Sequence, residues 1–535
     1  MSDRPNFLLF ITDQHRVDHL GCYGNPIVQT PNIDSLAARG TRFNQFYVSC
    51  PICMPNRATL MTGRMPSLHG VRQNGIPLSL GATTFTNLLR DAGYRTALVG
   101  KSHLQSISGN KVEVGLPQPD LNKFQPSDTH AEADMAKWQD GRYDQELAKT
   151  WKGEPGFEPA TPFYGFDHLA LALGHSDRVQ GHYSRWLAER HPNPDSLRGP
   201  DNALPSNRDI KAPQAWRTAI PEELYPTTYV AEETMSFLKQ QKNAGDHQPF
   251  FIQCSFPDPH HPFTPPGKYF DMYDPADVPV PEAFHHPTEK LPPQVAAIHA
   301  ERDEGRASMD GQRAFACTED QAREAIALNY GSITMIDDQI GRVLATLEET
   351  GLAENTVVAF TTDHGDFMGD HQLLLKAAIH YQGVIHVPCI WADPRDSGRP
   401  STSNALAGTI DLPTSFLDRA GVAGFNGMQG KSLPTIAAGT DSHDSLIIEE
   451  NQRRGYMGFG PNFRARTMIA DHWRLSFYSA ADWGELYNLR DDPLEFNNLW
   501  DDPAHAKTRA ELTERLARRM MDLTDSSPLA TGHGP

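Results

Sequence analysis

The sequence predicts an α/β fold with a large, mostly parallel sheet flanked by helices and a smaller antiparallel C-terminal subdomain. Three observations carry this. Short apolar runs recur along the chain, helical patterns stand between them, and from about residue 444 the texture changes to short strands and many turns. The runs are Phe7–Ile11, Thr96–Val99, Phe250–Ile252, Val357–Phe360 and Ile385–Trp391. None alternates apolar with polar residues, as strands buried on both faces of a parallel sheet require.

The clearest helical pattern spans about Gln321–Thr350. It has Ile326, Tyr330, Ile333, Ile340, Val343, Leu344 and Leu347 on one stripe and Gly351 as a stop. Asn32–Arg39 and Phe85–Ala92 are shorter helices by the same reasoning. Strand and helix in alternation give an α/β domain over about 1–440. Residues 105–215 and 265–320, rich in Pro, Asp, His and aromatic residues, read as long insertions that shape substrate access or subunit contacts. Leu446–Ile448 and Arg474–Tyr478 read as strands of a subdomain over 441–535, closed by a polar helix near Ala504–Leu523.

Composition narrows the function classes. The 535 residues are 39% hydrophobic and 21% charged, which suits a globular protein. A formal net charge of −19 argues against nucleic acid or anionic membrane as the main partner. It leaves an anionic small molecule open, because a site needs only a few local cations. No stretch approaches the roughly 20 apolar residues of a membrane span. The N-terminus lacks a basic segment, a long apolar segment and a small-residue cleavage site, so a cytoplasmic protein is expected. Six sparse cysteines fit reduced thiols, with a disulfide between some of them left open.

Ligands of an open α/β sheet sit outside the carboxyl ends of its strands. Four of the apolar runs end there in reactive residues: Thr12-Asp13-Gln14, Gly100-Lys101-Ser102-His103, Asp258-Pro259-His260-His261-Pro262 and Thr362-Asp363-His364-Gly365-Asp366. Singly, each reads equally well as a helix cap or turn. Four strands ending alike point to chemistry. Asp13, Gln14, Asp363 and His364 offer mixed oxygen and nitrogen ligands, suited to one divalent cation such as Ca²⁺, Mg²⁺ or Mn²⁺. Cys50 and Cys53 form a C-x-x-C, but a thioredoxin-like motif would follow directly on a strand, without the Pro55-Asn56-Arg57 continuation. Cys53 instead stands where Pro55 opens a helix, at the end that favours an anion.

The run Cys53-Met54-Pro55-Asn56-Arg57, followed by Thr62-Gly63-Arg64, resembles the type I sulfatase signature, whose cysteine is oxidised to formylglycine. Phe7–Gln14, Gly100–His103, Pro259-His260-His261-Pro262, Asp363-His364-Gly365, Lys376 and the late Glu485–Leu489 run with Asp492-Pro493 also resemble that family. Gln14, His364 and Asn74 resemble the branch shared by some arylsulfatases and phosphonate monoester hydrolases.

The resemblance implies an alkaline-phosphatase-like fold and a sulfuric ester hydrolase with promiscuous phosphonate monoester and phosphodiester activity. The alternative is a phosphonate monoester hydrolase or phosphodiesterase using the same nucleophile. It also implies one divalent metal, Ca²⁺ or Mn²⁺ with Mg²⁺ possible, held by Asp13, Gln14, Asp363, His364 and residue 53. Arg57 and Lys101 would hold the diol and the anionic group, and His103 would be the base for the second hydroxyl. His260 and Lys376 would contact the transferring group, with His261 a local rival to His260, and Asn74 would bind substrate. The implied partners are a small anionic ester, a formylglycine-generating or equivalent maturation enzyme and, from the long insertions, a second copy of the chain in a homo-oligomer. Sulfatases carry Lys and His in the Gly-Lys-x-His element where phosphonate hydrolases carry Tyr and Thr, so aryl sulfates are the expected substrates.

Overall fold

The computed structural model describes residues 4–109, 122–124, 141–154, 156–396, 401–526 and 532. The strands of the main sheet are β1 (Asn6–Thr12), β2 (Thr41–Phe43), β3 (Arg95–Gly100), β4 (His168–Leu173), β5 (Gln180–Gly181), β6 (Phe250–Ser255), β7 (Thr356–Thr362), β8 (Cys389–Ala392) and β9 (Ser401–Ser403). Their order is β9-β2-β8-β7-β1-β6-β3-β4-β5. The centre, from β7 through β1, β6 and β3 to β4, is parallel throughout.

The helices that matter here are α1 (Pro31–Arg39), α2 (Cys53–Thr62), α3 (Phe85–Asp91), α4 (Pro226–Ala244), α5 (Glu319–Glu349), α6 (Asp411–Ala420) and α7 (Ala506–Asp522). The central strand shows why its run does not alternate. Phe7, Leu9 and Ile11 enter one core with Phe85, Phe251 and Phe416, whereas Leu8 and Phe10 enter the other with Ile252, Ile333 and Phe360. Successive side chains point to opposite faces, and helices cover both. Phe416 of α6 stacks on Phe85 of α3 at 5.6 Å and meets Phe7 edge-on at 5.3 Å. Each such buried side chain contributes roughly 1.5–3 kcal/mol relative to exposure. α5 begins at a Thr318–Gln321 capping box, two residues before the expected start.

Two strands differ from expectation. Ile385–Trp391 is not one strand: a short helix over Gln382–Ile385 precedes Pro388, and only Cys389–Ala392 joins the sheet, antiparallel to β7. Proline lacks the N–H that a ladder needs, so the strand starts after it. The segment over 105–215 also supplies β4, a parallel neighbour of β3, although its residues 110–121 and 125–140 lie outside those described. Its apolar Leu169–Leu173 lies inside a segment rich in Pro, Asp, His and aromatic residues, a setting that masks it in sequence.

The C-terminal sheet is a four-stranded antiparallel meander of β10 (Ser445–Gln452), β11 (Phe463–Ala470), β12 (Trp473–Tyr478) and β13 (Gly484–Asn488), followed by α7. It packs Ile448, Phe463 and Tyr487 into the core of the main domain and adds polar contacts. Ser67 donates its N–H and hydroxyl to Glu449, at 2.8 and 3.0 Å, and Arg474, wholly buried, pairs with Glu485 and Glu495 between the rings of Tyr381 and Tyr487. A buried guanidinium is tolerable only with such partners. Among the described residues no helix is long and apolar enough to cross a membrane.

Candidate active site

Helix α2 is buried on every side, and its period decides what it presents. Cys53, Asn56 and Arg57 share one face at i, i+3 and i+4. Asn56 donates its amide to the Asp363 carbonyl at 2.6 Å and accepts from Ser49 N–H and the Thr409 hydroxyl. Arg57 donates Nε to the Asp363 carboxylate at 2.8 Å, and Nη1 to the Lys101 carbonyl and the Ser255 hydroxyl at 3.0 Å each. The helix is therefore locked to the ends of three strands, and Cys53 meets what those strands carry.

Cys53 Sγ lies 3.0 Å from His364 Nε2 and 3.9 Å from Asp13 Oδ1. One ligand atom from each of Asp13, Cys53, Asp363 and His364 falls within 4.8 Å of the others, and all four residues are buried. His364 Nδ1 lies 2.9 Å from the Gly365 carbonyl, which fixes the proton there and leaves the Nε2 lone pair facing inward. That lone pair points at two carboxylates, 3.7 Å from Asp13 and 3.6 Å from Asp363. An uncharged imidazole lone pair gains nothing from anionic oxygens, whereas a divalent cation between them would satisfy all three. The donor set of this chain thus fits the metal that the sequence implies. Burial pushes His364 down to about 4, partly offset by Asp363, so the ring is neutral and available as a ligand near pH 7. Burial alone would raise the Asp13 carboxyl, but Lys101 and Arg57 hold it well below the ordinary carboxylate range.

The remaining predicted residues surround this cluster. Lys101 Nζ, completely buried, pairs with Asp13. Lys376 Nζ donates to Gln14 Oε1 at 2.5 Å and to His260 Nε2 at 3.2 Å. The Gln14 amide nitrogen reaches Asp366 and, at 3.1 Å, His261 Nδ1. Gln14 and His103 hold left-handed backbone, with φ of 61° each, which non-glycine residues adopt mainly where a site demands it. Gly100 is required for a different reason: at its φ of 100°, an added Cβ would lie 1.8 Å from the Ser255 carbonyl of the neighbouring strand. The His103 loop is held by Glu146, whose carboxylate accepts from the N–H of His103 at 2.7 Å and of Gln105 at 2.5 Å. Burial, followed by Lys101 and Arg57, keeps His103 well below its usual value, hence a neutral base. Asn74 accepts the Met54 N–H at 3.1 Å, directly after Cys53.

Several buried donors and acceptors have no partner among the described residues. They include Arg57 Nη2, His103 Nδ1 and His261 Nε2. Together with Lys101 and Lys376 they offer an anionic group many hydrogen-bond donors in a nearly water-free setting, where such bonds are strongest.

Sequence reasoning missed His175. It follows β4 in the segment read as an insertion, and its Nε2 accepts from Lys101 Nζ at 2.8 Å. Its ring stacks on His260, with centroids 3.7 Å apart and planes 12° from parallel. Its side chain is 13% exposed, at the edge of the cluster, with Nε2 3.7 Å from Asp13 Oδ2. Asp366 and Asp258 stand in the strand-end runs, but sequence reasoning assigns neither a role. Asp258 takes hydrogen bonds from Thr227 and Tyr225 at 2.6 and 3.5 Å, and burial raises it to about 7. The available signal was position alone, since each follows a strand.

Comparison with known proteins agrees with this geometry. Residues 5–422 match the Sulfatase family, and residues 369–522 match the C-terminal family of N-sulphoglucosamine sulphohydrolase. An arylsulfatase of Clostridium perfringens is 28% identical over 99% of this chain and 98% of its own. The multifunctional alkaline phosphatase superfamily protein PehA of Trinickia caryophylli is 27% identical over 94% of this chain and 92% of its own. The phosphonate monoester hydrolase of Agrobacterium radiobacter shares the fold, with a TM-score of 0.75 at 24% identity over 98% of this chain and 97% of its own. Sulfatases generally use a metal and formylglycine, and the buried Asp/Cys/His cluster is compatible with both. The chain belongs to the sulfatase family and is a hydrolase of sulfuric esters.

Proposed function

We propose that the protein hydrolyses sulfate monoesters, aryl sulfates foremost, with residue 53 as formylglycine and one divalent cation held by Asp13, Gln14, Asp363, His364 and residue 53. The observation that carries this reading is the Lys101–His103 element. Both side chains are buried, and Lys101 pairs with Asp13, which faces Cys53, so a lysine and a neutral base would serve the transferring group where the phosphonate pattern has tyrosine and threonine. When present, the hydrated aldehyde and the cation supply an activated hydroxyl that displaces the alcohol from sulfur.

In that reading the chain's own residues do the rest. Arg57 orients Asp363 and, with Lys101, neutralises the sulfuryl oxygens as charge moves onto them. His260 and Lys376, 3.2 Å apart, hold the ester oxygen and deliver a proton to the departing alcohol. His103, buried and neutral, is placed to take a proton from the hydrated aldehyde that residue 53 would carry, and that group would supply the hydroxyl whose deprotonation releases sulfate. Cys53 is 1% exposed and its helix wholly covered, so its maturation enzyme must act before the chain closes around it.

A panel of 4-nitrophenyl sulfate, a phenyl phosphonate monoester and a phosphodiester tests the reading. The sulfate should give the highest kcat/KM, and Lys101→Ala and His103→Ala should each lower it roughly 100-fold or more. Phosphonate or phosphodiester turnover ahead of sulfate would establish the second reading, a phosphonate monoester hydrolase or phosphodiesterase with the same nucleophile. Gln14, His364 and Asn74 fit either reading, because they resemble the branch shared by some arylsulfatases and phosphonate monoester hydrolases.

His175 should act by positioning Lys101. His175→Ala is expected to lower kcat/KM for aryl sulfate roughly tenfold, the scale of one charged hydrogen bond. His175→Gln, which keeps an acceptor, should recover part of it. Equal losses in the two variants, with lowered melting temperatures, would reduce His175 to a packing residue.

A further inference from the structure

A basic rim lies beside the centre, and the proposed reaction gives it no role. The loop between β10 and β11 carries Arg453 and Arg454, and Arg464 follows in β11. Its Tyr456 donates a hydrogen bond to the Ala314 carbonyl at 2.6 Å, and Arg313 lies 5.1 Å over the Tyr456 ring. Ala314 in turn donates its N–H to the carbonyl of Lys376 at 3.0 Å. The Arg313 segment is thus one backbone hydrogen bond from Lys376, and the hairpin is joined to it by the further bond from Tyr456 to Ala314.

Arg313, Arg454 and Arg464 are exposed and Arg453 is half-buried. Among the described residues none of the four side chains has an acceptor or an ion pair, although 67 acidic residues outnumber 48 basic ones in the chain. In so acidic a protein, unpaired arginines gathered on one rim mark a place where anions collect. The hairpin that bears them is firmly held. Tyr456 and Phe459 pair through backbone bonds at 2.9 and 3.0 Å, and Phe459 stacks between Tyr478 and Trp483, with centroids at 5.2 and 5.7 Å. The guanidinium groups are therefore borne on a rigid support, which lowers the entropic cost of holding a ligand.

We infer that this rim is a subsite for a second anionic group, a sulfate, carboxylate or phosphate, carried on the leaving-group side of the same substrate. The inference deepens the proposed function and rests on it: the ester to be cleaved sits at Cys53, and the remainder of a multiply charged molecule reaches Arg313, Arg453 and Arg454. Guanidinium suits such groups because its planar fork matches two oxygens at once.

Sulfonates test the rim apart from the chemistry, since their carbon–sulfur bonds are not esters. Calorimetric titration of the full chain with benzene-1,3,5-trisulfonate and with benzenesulfonate should show the trisulfonate binding roughly tenfold tighter, the scale of a few exposed ion pairs. The triple variant R313Q/R453Q/R454Q should abolish that difference while keeping kcat/KM for 4-nitrophenyl sulfate within about twofold, as rim charges do for a small ligand. Equal binding of the two sulfonates by the unaltered protein, or a preference that survives the triple substitution, would overturn the subsite. Absence of aryl sulfate turnover would instead count against the reading of the reactive centre, and the titration would still decide the rim.

Discussion

Cys53→Ala should remove nearly all turnover and leave the fold intact. The side chain is small and already buried, so its loss opens a void of about one sulfur atom and should cost only about 1 kcal/mol. Chemically the loss is total in the proposed reaction, because no other residue at the end of α2 can form the covalent ester. In active protein the tryptic peptide containing Cys53 should weigh roughly 18 Da less than its cysteine form. Mass spectrometry joined to an aryl sulfate assay checks both points. An unmodified cysteine in fully active protein would defeat the mechanism.

Asp363→Ala should lose bound metal and activity together, with kcat reduced by roughly a thousandfold or more. Its carboxylate faces the lone pair of His364 on one side and accepts Arg57 Nε at 2.8 Å on the other. Removal leaves Arg57 buried with a weaker partner, Asp13 at 3.8 Å, and one ligand fewer for a dication. Breaking a buried pair costs roughly 3–5 kcal/mol, so the melting temperature should fall as well. Asp363→Asn keeps the volume and separates the two effects: it should retain more stability than the alanine variant yet bind metal poorly. Elemental analysis and a thermal melt read these outcomes, and full activity after exhaustive chelation, with no metal found, would count decisively against the assignment.

The reactive centre was legible because its residues stand at strand ends, where local sequence and topology coincide. Asp13-Gln14 and Asp363-His364 follow the two most apolar runs, and those runs are adjacent parallel strands in register from Asn6–Thr356 to Thr12–Thr362. Any sheet that pairs them must bring the two acidic residues together. The Cys53 segment was legible for its resemblance to the type I sulfatase signature, and the helix then places Arg57 one turn beyond Cys53. His175 was not legible. Its strand lies within a polar segment, and nothing in Gly174-His175-Ser176 distinguishes a histidine of the site from a turn.

The sequence by itself determined the α/β class, the two-sided burial of the central strands and the residue types at their carboxyl ends, because strand burial and helical period are local properties of the chain. The tertiary structure decided the rest. It set β8 antiparallel and placed β4 within the sheet, because pairing across the sheet depends on partners far apart in the chain. It made Lys101 a partner of both Asp13 and His175, and turned the tautomer of His364 toward two carboxylates. It also brought the arginines of the C-terminal hairpin to the segment beside Lys376. Those contacts join residues as distant in the chain as Asp13 and His364, and only the packing of the finished fold brings such groups together.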